Sequence, residues 1–228
     1  GLAAGDAYLT RVVSDCGQIS NEVEFTMPYV YTKTIEAYTG DKDRYYLIAS
    51  PLAEAVAPTA VGGMITDEFD LYYFDQAVED EWINYETANG INANFGDLVS
   101  GKGFLYASES ITTLTFTGTP YSGNGEVDLT YSSAAQDSPG GNLIGTPFAA
   151  AATLDRPFYK MNADGNGFTT LIDDLTNTIA AMEGVFVEAT TTGETATFTP
   201  QASKGRHQAI AKTNIVVSGN KGQVLDNA

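Results

Sequence analysis

The sequence has very few of the residues from which nucleophilic and metal centres are usually built. Among its 228 residues there is one cysteine, Cys16, and one histidine, His207. A single cysteine allows neither an intrachain disulfide nor a cysteine-based zinc site. Cys16 and His207 stand near opposite ends of the chain, and a histidine metal site lacks its second histidine. We therefore expect no catalytic triad and interpret His207 as a surface residue.

Basic residues are also scarce. The chain has 11 lysines and arginines against 29 aspartates and glutamates, so its formal net charge is −18 and its pI is near 4.1. A protein with this charge repels phosphate backbones and anionic lipid surfaces, so no nucleic-acid partner is expected. No apolar run approaches the roughly 18 residues that a membrane helix requires, so no membrane insertion is predicted.

The sequence does contain an internal repeat. Residues 47–52, Leu-Ile-Ala-Ser-Pro-Leu, return as residues 143–148, Leu-Ile-Gly-Thr-Pro-Phe. Two further pairs follow in the same order: residues 103–106 match residues 184–187, and residues 115–117 match residues 197–199. We predict that one β unit is used twice and that the two Leu-Ile segments are equivalent central strands.

Alternation of β-branched and aromatic residues with polar ones predicts strands through most of the chain. The predicted fold is all-β, with two tandem related β-sandwich (jelly-roll-like) units at residues 1–137 and 138–228. The boundary falls where serine, proline and two glycines occur together in residues 136–141. Residues 171–183 have apolar residues at helical spacing, which predicts one short helix in the second unit.

An aromatic cluster marks one predicted hairpin, whose strands are residues 69–75 and 81–85. Two interpretations fit this cluster. Aromatic residues on both faces of a strand favour burial, whereas flat aromatic rings beside carboxylates are typical of sugar-binding surfaces. For the second interpretation the candidate ligand-binding residues are Tyr72, Trp82, Tyr85 and Glu81.

A second candidate site lies in residues 162–173. Asn162, Asp164 and Asn166 occupy positions 1, 3 and 5 of a possible calcium loop, with glycine at position 6 and Asp173 at position 12. The alternative is a hairpin turn that uses asparagine and glycine for their tolerance of positive φ. No other cofactor is predicted.

Several stretches resemble one family in the same order. They are residues 33–51, 70–75, 82–85, 101–107 and 143–148. They are similar to a module of uncharacterised exported proteins from Bacteroides-type bacteria, in which a phrase like Tyr-Leu-Ile-Ala-Ser-Pro precedes Asp-Leu-Tyr-Tyr-Phe-Asp, Gly-Lys-Gly-Tyr-Leu-Tyr-Ala and Asn-Leu-Val-Gly-Asn-Pro-Phe. This chain departs from the pattern at Thr146, where asparagine is usual, and at Gly141, where tryptophan is usual. The resemblance implies an exported, surface-associated β protein and brings no catalytic residues.

The functional expectation is a non-catalytic module outside the cytoplasm. The chain begins with Gly1 rather than methionine, which we interpret as the trace of a removed signal segment. An extracellular or cell-surface module of this kind would act in adhesion or in assembly of a larger surface protein. The alternative is a carbohydrate-binding or carbohydrate-cleaving accessory domain, although no acid stands in a recognisable glycosidase signature. The expected partner is a glycan or a surface protein.

Overall fold

The structure is a computed structural model that describes residues 5–13, 16–17, 22–37, 44–65, 67–133, 138–201, 214–218 and 223–227. His207 lies outside these residues. In the first part of the chain the strands are β1 (Ala7–Thr10), β2 (Val12–Val13), β3 (Val23–Thr26), β4 (Tyr29–Ile35), β5 (Tyr46–Ala49), β6 (Phe69–Phe74), β7 (Trp82–Asn84), β8 (Glu86–Thr87), β9 (Gly90–Ile91), β10 (Gly103–Ser108), β11 (Thr112–Gly118) and β12 (Glu126–Asp128). They are followed by β13 (Gly141–Gly145), β14 (Ala152–Leu154), β15 (Thr178–Ile179), β16 (Gly184–Glu188), β17 (Thr195–Pro200), β18 (Asn214–Ser218) and β19 (Gln223–Asn227).

The predicted all-β class is confirmed. Within the described part of the chain, the one helical element is a single 3-10 turn at Pro58–Ala60. The short helix predicted at residues 171–183 is wrong: the segment holds a bridge at Ile172, an Asp174 turn and strand β15. β-Branched Thr176, Thr178 and Ile179 disfavour a helix, and the Asp174 carboxylate accepts a hydrogen bond from the Thr176 backbone N–H, which stabilises a turn.

The chain divides into two compact units. The smaller unit comprises Gly1–Val30 and Lys204–Ala228, and the larger comprises Tyr31–Ser203. In the smaller unit β1 pairs with β3, while β18 pairs with β19 and with β2. The larger unit contains sheets of order β5-β10-β6-β7 and β12-β17-β14-β15 and the pairs β4-β11, β13-β16 and β8-β9.

The core of the larger unit forms two clusters. The first includes Ile48, Phe104 and Phe116, and the second includes Ile144, Val185 and Phe198. All six side chains are at most 3% exposed. The predicted boundary between residues 137 and 138, like the tandem sandwich arrangement, stays a prediction.

The strands formed by the repeated sequences pair in the same way in both copies. In β5 and β10, Ile48 lies opposite Phe104, and in β13 and β16, Ile144 lies opposite Val185. Residues at matching places in the repeated sequences therefore pair with each other in both copies. The third matching pair also agrees, because Phe116 in β11 and Phe198 in β17 are each 1% exposed.

The two copies contact each other reciprocally. The Ala49 N–H donates to the Met182 carbonyl at 3.2 Å, and the Gly145 N–H donates to the Gly101 carbonyl at 2.9 Å. Ala49 and Gly145 are equivalent positions, and so are Gly101 and Met182, which both have positive φ (83° and 57°). Contacts that repeat with the copies exchanged are those that a two-fold axis produces.

Glycine is required where the copies meet. A Cβ on Gly145 would overlap the Ala49 Cβ and lie 3.0 Å from the Lys102 carbonyl oxygen. A Cβ on Gly103 would lie 2.6 Å from the Ile144 carbonyl oxygen. These approaches leave no room for a side chain.

We predict that Gly145→Ala destabilises the protein by about 1 to 3 kcal/mol, because the added methyl overpacks the contact between the copies. The control is Gly167→Ala, where the nearest atom to the new Cβ is Asn162 Nδ2 at 3.6 Å. Urea denaturation monitored by fluorescence measures both variants. Equal effects of the two substitutions would contradict the close packing at Gly145.

Glu194 has a strongly stabilised charged form. Its Oε1 accepts hydrogen bonds from the Thr190 hydroxyl, the Thr190 N–H and the Thr191 N–H, each at 2.7 Å. Arg156 lies 3.2 Å from Oε2. These hydrogen bonds, those of Thr190 first, lower the pKa of Glu194 to about 2.

A lowered carboxylate pKa stabilises the folded state above the ordinary pKa, and the contribution disappears as pH falls toward the folded-state pKa. We therefore expect Glu194→Gln to lower the melting temperature at neutral pH, with the difference from the unsubstituted protein closing between pH 4.5 and about 2. Glu109→Gln, at an exposed position, is the control. A difference independent of pH would contradict the prediction.

Candidate functional site

Strand alternation brings two aromatic rings of the first copy to one surface. Phe74 lies opposite Trp82 in the β6–β7 pair. Their ring centroids are 5.2 Å apart at an interplanar angle of 74°. The neighbouring residues of these strands, Tyr73 and Ile83, pack against the first core cluster. Because successive side chains of a strand point to opposite faces, Phe74 and Trp82 lie on the face away from that core.

The second copy adds three more aromatic residues. Phe186 in β16 lies 4.7 Å from Phe74 and 5.5 Å from Phe168, measured between ring centroids. Tyr159 and Phe186 exchange backbone hydrogen bonds of 2.8 and 2.9 Å. Phe168 is held by a bridge to Met161 and is 43% exposed. Phe168 in its hairpin thus corresponds to Trp82 in the hairpin of the first copy.

Together these rings form a groove of about 470 Å³, which we call the aromatic groove. It lies between parts of both copies within the larger unit. Its lining residues are Phe74, Glu81, Trp82, Ser138, Pro139, Gly141, Tyr159, Phe168, Thr169, Phe186 and Glu188. The lining contains two carboxylates and no lysine or arginine.

The two carboxylates have different environments. Glu81 is only 5% exposed, and its Oε1 accepts the Ser138 N–H at 3.0 Å. Its backbone has a positive φ of 55°, an uncommon conformation for a residue with a side chain. Glu188 is exposed at the end of β16, where it pairs with Gly141. The groove therefore has one carboxylate that is held by the backbone and one that reaches solvent.

Gln76 connects the β6–β7 turn to the rim of the groove. Its side chain is 3% exposed. The amide nitrogen donates to the Thr130 carbonyl at 2.8 Å and to the Gly141 carbonyl at 3.1 Å. The amide oxygen accepts the Ser132 and Gly140 N–H groups, both at 2.8 Å. This buried amide is fully bonded, so it fixes the hairpin of the first copy against the first strand of the second.

Asn142 holds the same region from the other copy. Its side-chain oxygen accepts the Thr130 N–H at 2.8 Å, and its nitrogen donates to the Thr130 and Gly140 carbonyls at 2.9 and 2.7 Å. The 140–141 backbone at the groove rim is thus bound by two buried amides. Pre-organisation of this kind reduces the conformational entropy that a ligand must remove on binding.

The structure separates the four predicted ligand-binding residues. Trp82 and Glu81 line the aromatic groove. Tyr72 lies on the same face of β6 as Phe74, with its ring 6.5 Å from that of Tyr45, outside the lining. Tyr85 requires a correction: it is 5% exposed and packs 5.2 Å from Phe95 in the core. Three positions separate Trp82 from Tyr85, so strand alternation turns the two rings to opposite faces.

Four residues of the groove were not among the predicted site residues: Tyr159, Phe168, Phe186 and Glu188. The sequence does carry a signal for Phe168, because the repeat matches it to Trp82. Phe186 matches Leu105 in the first copy, so its aromatic ring is particular to the second copy. Its place beside Phe74 depends on how the copies pack, which the sequence pattern does not specify.

The predicted calcium loop is a hairpin turn in the structure. Asn162 and Asn166 hydrogen-bond each other, Nδ2 to Oδ1, at 2.9 Å. The Asn162 N–H donates to the Gly167 carbonyl at 2.8 Å, which closes the turn between Met161 and Phe168. Gly165 has a φ of 70°, as the turn interpretation requires. Asp164 and Asp173 are exposed, and the described residues contain no group of three or more His, Cys, Asp or Glu side chains that would hold a metal ion.

A smaller hollow of about 190 Å³ lies elsewhere in the larger unit, lined by Lys33, Arg44 and Glu183 among others. Burial lowers the pKa of Lys33, and the negative charge of Glu183 partly opposes that shift. Arg44 is bound to Glu36 and to the Ala163 carbonyl. This hollow has only Tyr45 and Tyr46 as aromatic residues, so the larger aromatic groove is the better candidate site.

We predict that Gln76→Leu destabilises the protein by about 2 to 4 kcal/mol, because the buried Gly140 N–H and the half-buried Ser132 N–H lose their acceptor. Gln201→Leu, at an exposed position, is the matched control and should change stability by less than about 0.5 kcal/mol. Chemical denaturation gives both values. A Gln76→Leu variant as stable as the Gln201→Leu variant would show that this network does not hold the groove.

Among the described residues, no helix is long and apolar enough to cross a membrane. Comparisons of the chain with protein-family models, with curated proteins and with solved structures found no match.

Proposed function

We propose that the chain is a non-catalytic, carbohydrate-binding module of an exported or cell-surface protein, and that it binds glycan in the aromatic groove. Binding of this kind would serve adhesion to a glycan-bearing surface. The observation that carries the proposal is that Trp82 and Phe168, from equivalent hairpins of the two copies, both contact Phe186 and both keep exposed ring surface.

The chemistry of the groove suits a sugar. Pyranose rings have apolar C–H faces that pack on aromatic rings, and their hydroxyl groups donate hydrogen bonds to carboxylates. Trp82 and Phe168 supply the rings, and Glu81 and Glu188 supply the acceptors. The volume of about 470 Å³ is within the range of small-ligand sites.

Exposed aromatic surface in this groove also needs an explanation other than packing. Phe168 remains 43% exposed although it touches Phe186. Contiguous exposed apolar surface with a polar rim usually marks an interaction site. The resemblance to exported Bacteroides-type modules supports a location outside the cell, where glycans are the abundant polymers.

Assembly into a larger surface protein is the second candidate function. It is favoured by exposed apolar side chains of the smaller unit, namely Leu9 at 65% and Val23 at 58%. In the larger unit, the β5-β10-β6-β7 sheet offers little for strand addition. Its edge strand β7 has three residues, and β5 is bonded to the second copy through Ala49.

We predict that Trp82→Ala and Phe168→Ala each weaken glycan binding by at least about tenfold, because each removes one stacking surface. A glycan array identifies a retained oligosaccharide, and titration calorimetry measures its dissociation constant. Leu175→Ala is the control, since Leu175 is 46% exposed and does not line the groove.

Melting temperatures of all three variants separate loss of binding from loss of folding. Phe168→Ala is the more informative variant, since Phe168 is 43% exposed whereas Trp82 is half-buried. Absence of any retained glycan, or equal retention by Phe168→Ala and the unsubstituted protein, would contradict the proposal. If the protein released new reducing ends from a bound oligosaccharide, it would be a hydrolase rather than a non-catalytic binding module.

A further inference from the structure

The charges around the aromatic groove discriminate between classes of glycan. Its lining contains Glu81 and Glu188 and no cationic side chain. Building on the proposed function, we infer that the groove selects glycans that carry protonated amino groups over neutral ones and excludes acidic glycans. The inference concerns the charge of the ligand and depends on the positions of these two carboxylates.

Glu81 is the more buried of the two carboxylate residues. The side chain is 95% shielded from solvent, since its exposed fraction is 5%, and Oε1 accepts the Ser138 N–H. No described residue donates a hydrogen bond to Oε2, and a carboxylate has no proton of its own to donate. A carboxylate oxygen of a lining residue that has no protein donor can accept a hydrogen bond from the ligand, and an ammonium group is the strongest such donor.

Glu188 adds a second negative charge at the same groove. Its side chain is exposed at the end of β16, and the paired residue, Gly141, is itself part of the lining. Two carboxylates that border one groove attract a cation together. They also repel each other and any third carboxylate, so a uronic acid bound here would be desolvated beside like charges.

Three cations of the larger unit have protein partners of their own, and one of them reaches a lining residue: the Arg156 guanidinium donates to the Glu188 backbone carbonyl at 3.2 Å. Arg156 lies 3.2 Å from Glu194, and Lys160 lies 3.5 Å from Glu183. Lys102 places its ammonium 3.6 Å from the centre of the Tyr73 ring, on the core side of β6. None of these three side chains is part of the groove lining. The net charge of −18 adds repulsion of acidic polymers at longer range.

Three oligosaccharide probes of equal length test the inference: glucosamine oligomers, N-acetylglucosamine oligomers and galacturonate oligomers. The first two share one backbone and differ in the charge of the amino group, which is protonated at about pH 6. Calorimetry at low and high salt gives the dissociation constants. We expect the glucosamine oligomer to bind about fivefold more tightly than its acetylated form at low salt, and the galacturonate oligomer not to bind.

Three variants locate the effect. Glu188→Gln removes the exposed charge and should abolish most of the preference for glucosamine over N-acetylglucosamine. Glu109→Gln, which removes an exposed carboxylate outside the groove lining, should keep the preference. Glu81→Gln keeps an acceptor for the Ser138 N–H in its amide oxygen. This variant should also reduce the preference for glucosamine over N-acetylglucosamine.

The outcomes are distinguishable from those of the proposed function. Equal binding of neutral and amino oligomers, tighter binding of the galacturonate probe, or an unchanged preference in Glu188→Gln would overturn the charge selection while glycan binding stood. If no probe and no arrayed glycan binds, the proposed function fails and the charge selection fails with it.

Discussion

The structure of the larger unit depends on a pair of backbone hydrogen bonds between its two copies. Ala49 donates to Met182, and Gly145 donates to Gly101. The bonds form only because the residues at the contact are small, since a Cβ on Gly145 would overlap that of Ala49. The Leu-Ile strands therefore meet at their ends, and each copy supplies partners for the backbone of the other. Backbone groups buried at this contact need such partners, because an unpaired buried N–H costs about 1 to 3 kcal/mol.

The aromatic groove is a consequence of that contact. Its Phe74 and Trp82 belong to the first copy, and its Tyr159, Phe168 and Phe186 belong to the second. Gln76 and Asn142 then fix the backbone of the rim through buried amide hydrogen bonds. A hydrophobic side chain at either position would fill the space, but it would leave several backbone groups without partners. The buried amides thus specify one relative position of the hairpin and β13, which apolar packing alone would specify less strictly.

Much of the fold was predictable from the repeat. The equivalence of the two Leu-Ile strands, the hairpin of residues 69–85 and the match between Phe168 and Trp82 follow from aligning the two copies. The predicted central position of these strands is wrong, because β5 stands at the end of its four-stranded sheet and β13 belongs to a two-stranded pair. Tyr85 was grouped with the candidate ligand-binding residues because aromatic character alone does not give the parity of a strand. The helix expected at residues 171–183 was wrong because apolar spacing outweighed the β-branched residues in that prediction. Phe186 was missed because its neighbour Phe74 is distant in sequence and reaches it only through the packing of the copies.

The aromatic groove lies where the two repeated segments meet within the larger unit. Two copies that meet through small residues bring their hairpins to one face, and each hairpin carries an aromatic residue at the same position, Trp82 or Phe168. One of these residues is half-buried and the other is 43% exposed, so the two equivalent positions are both aromatic but differ in packing. Phe186 at the position of Leu105 is a further difference between the copies that lies in the groove. If the repeat served only stability, burying the rings of Trp82 and Phe168 would stabilise the fold further. In the groove these rings instead stay accessible beside the carboxylate of Glu81.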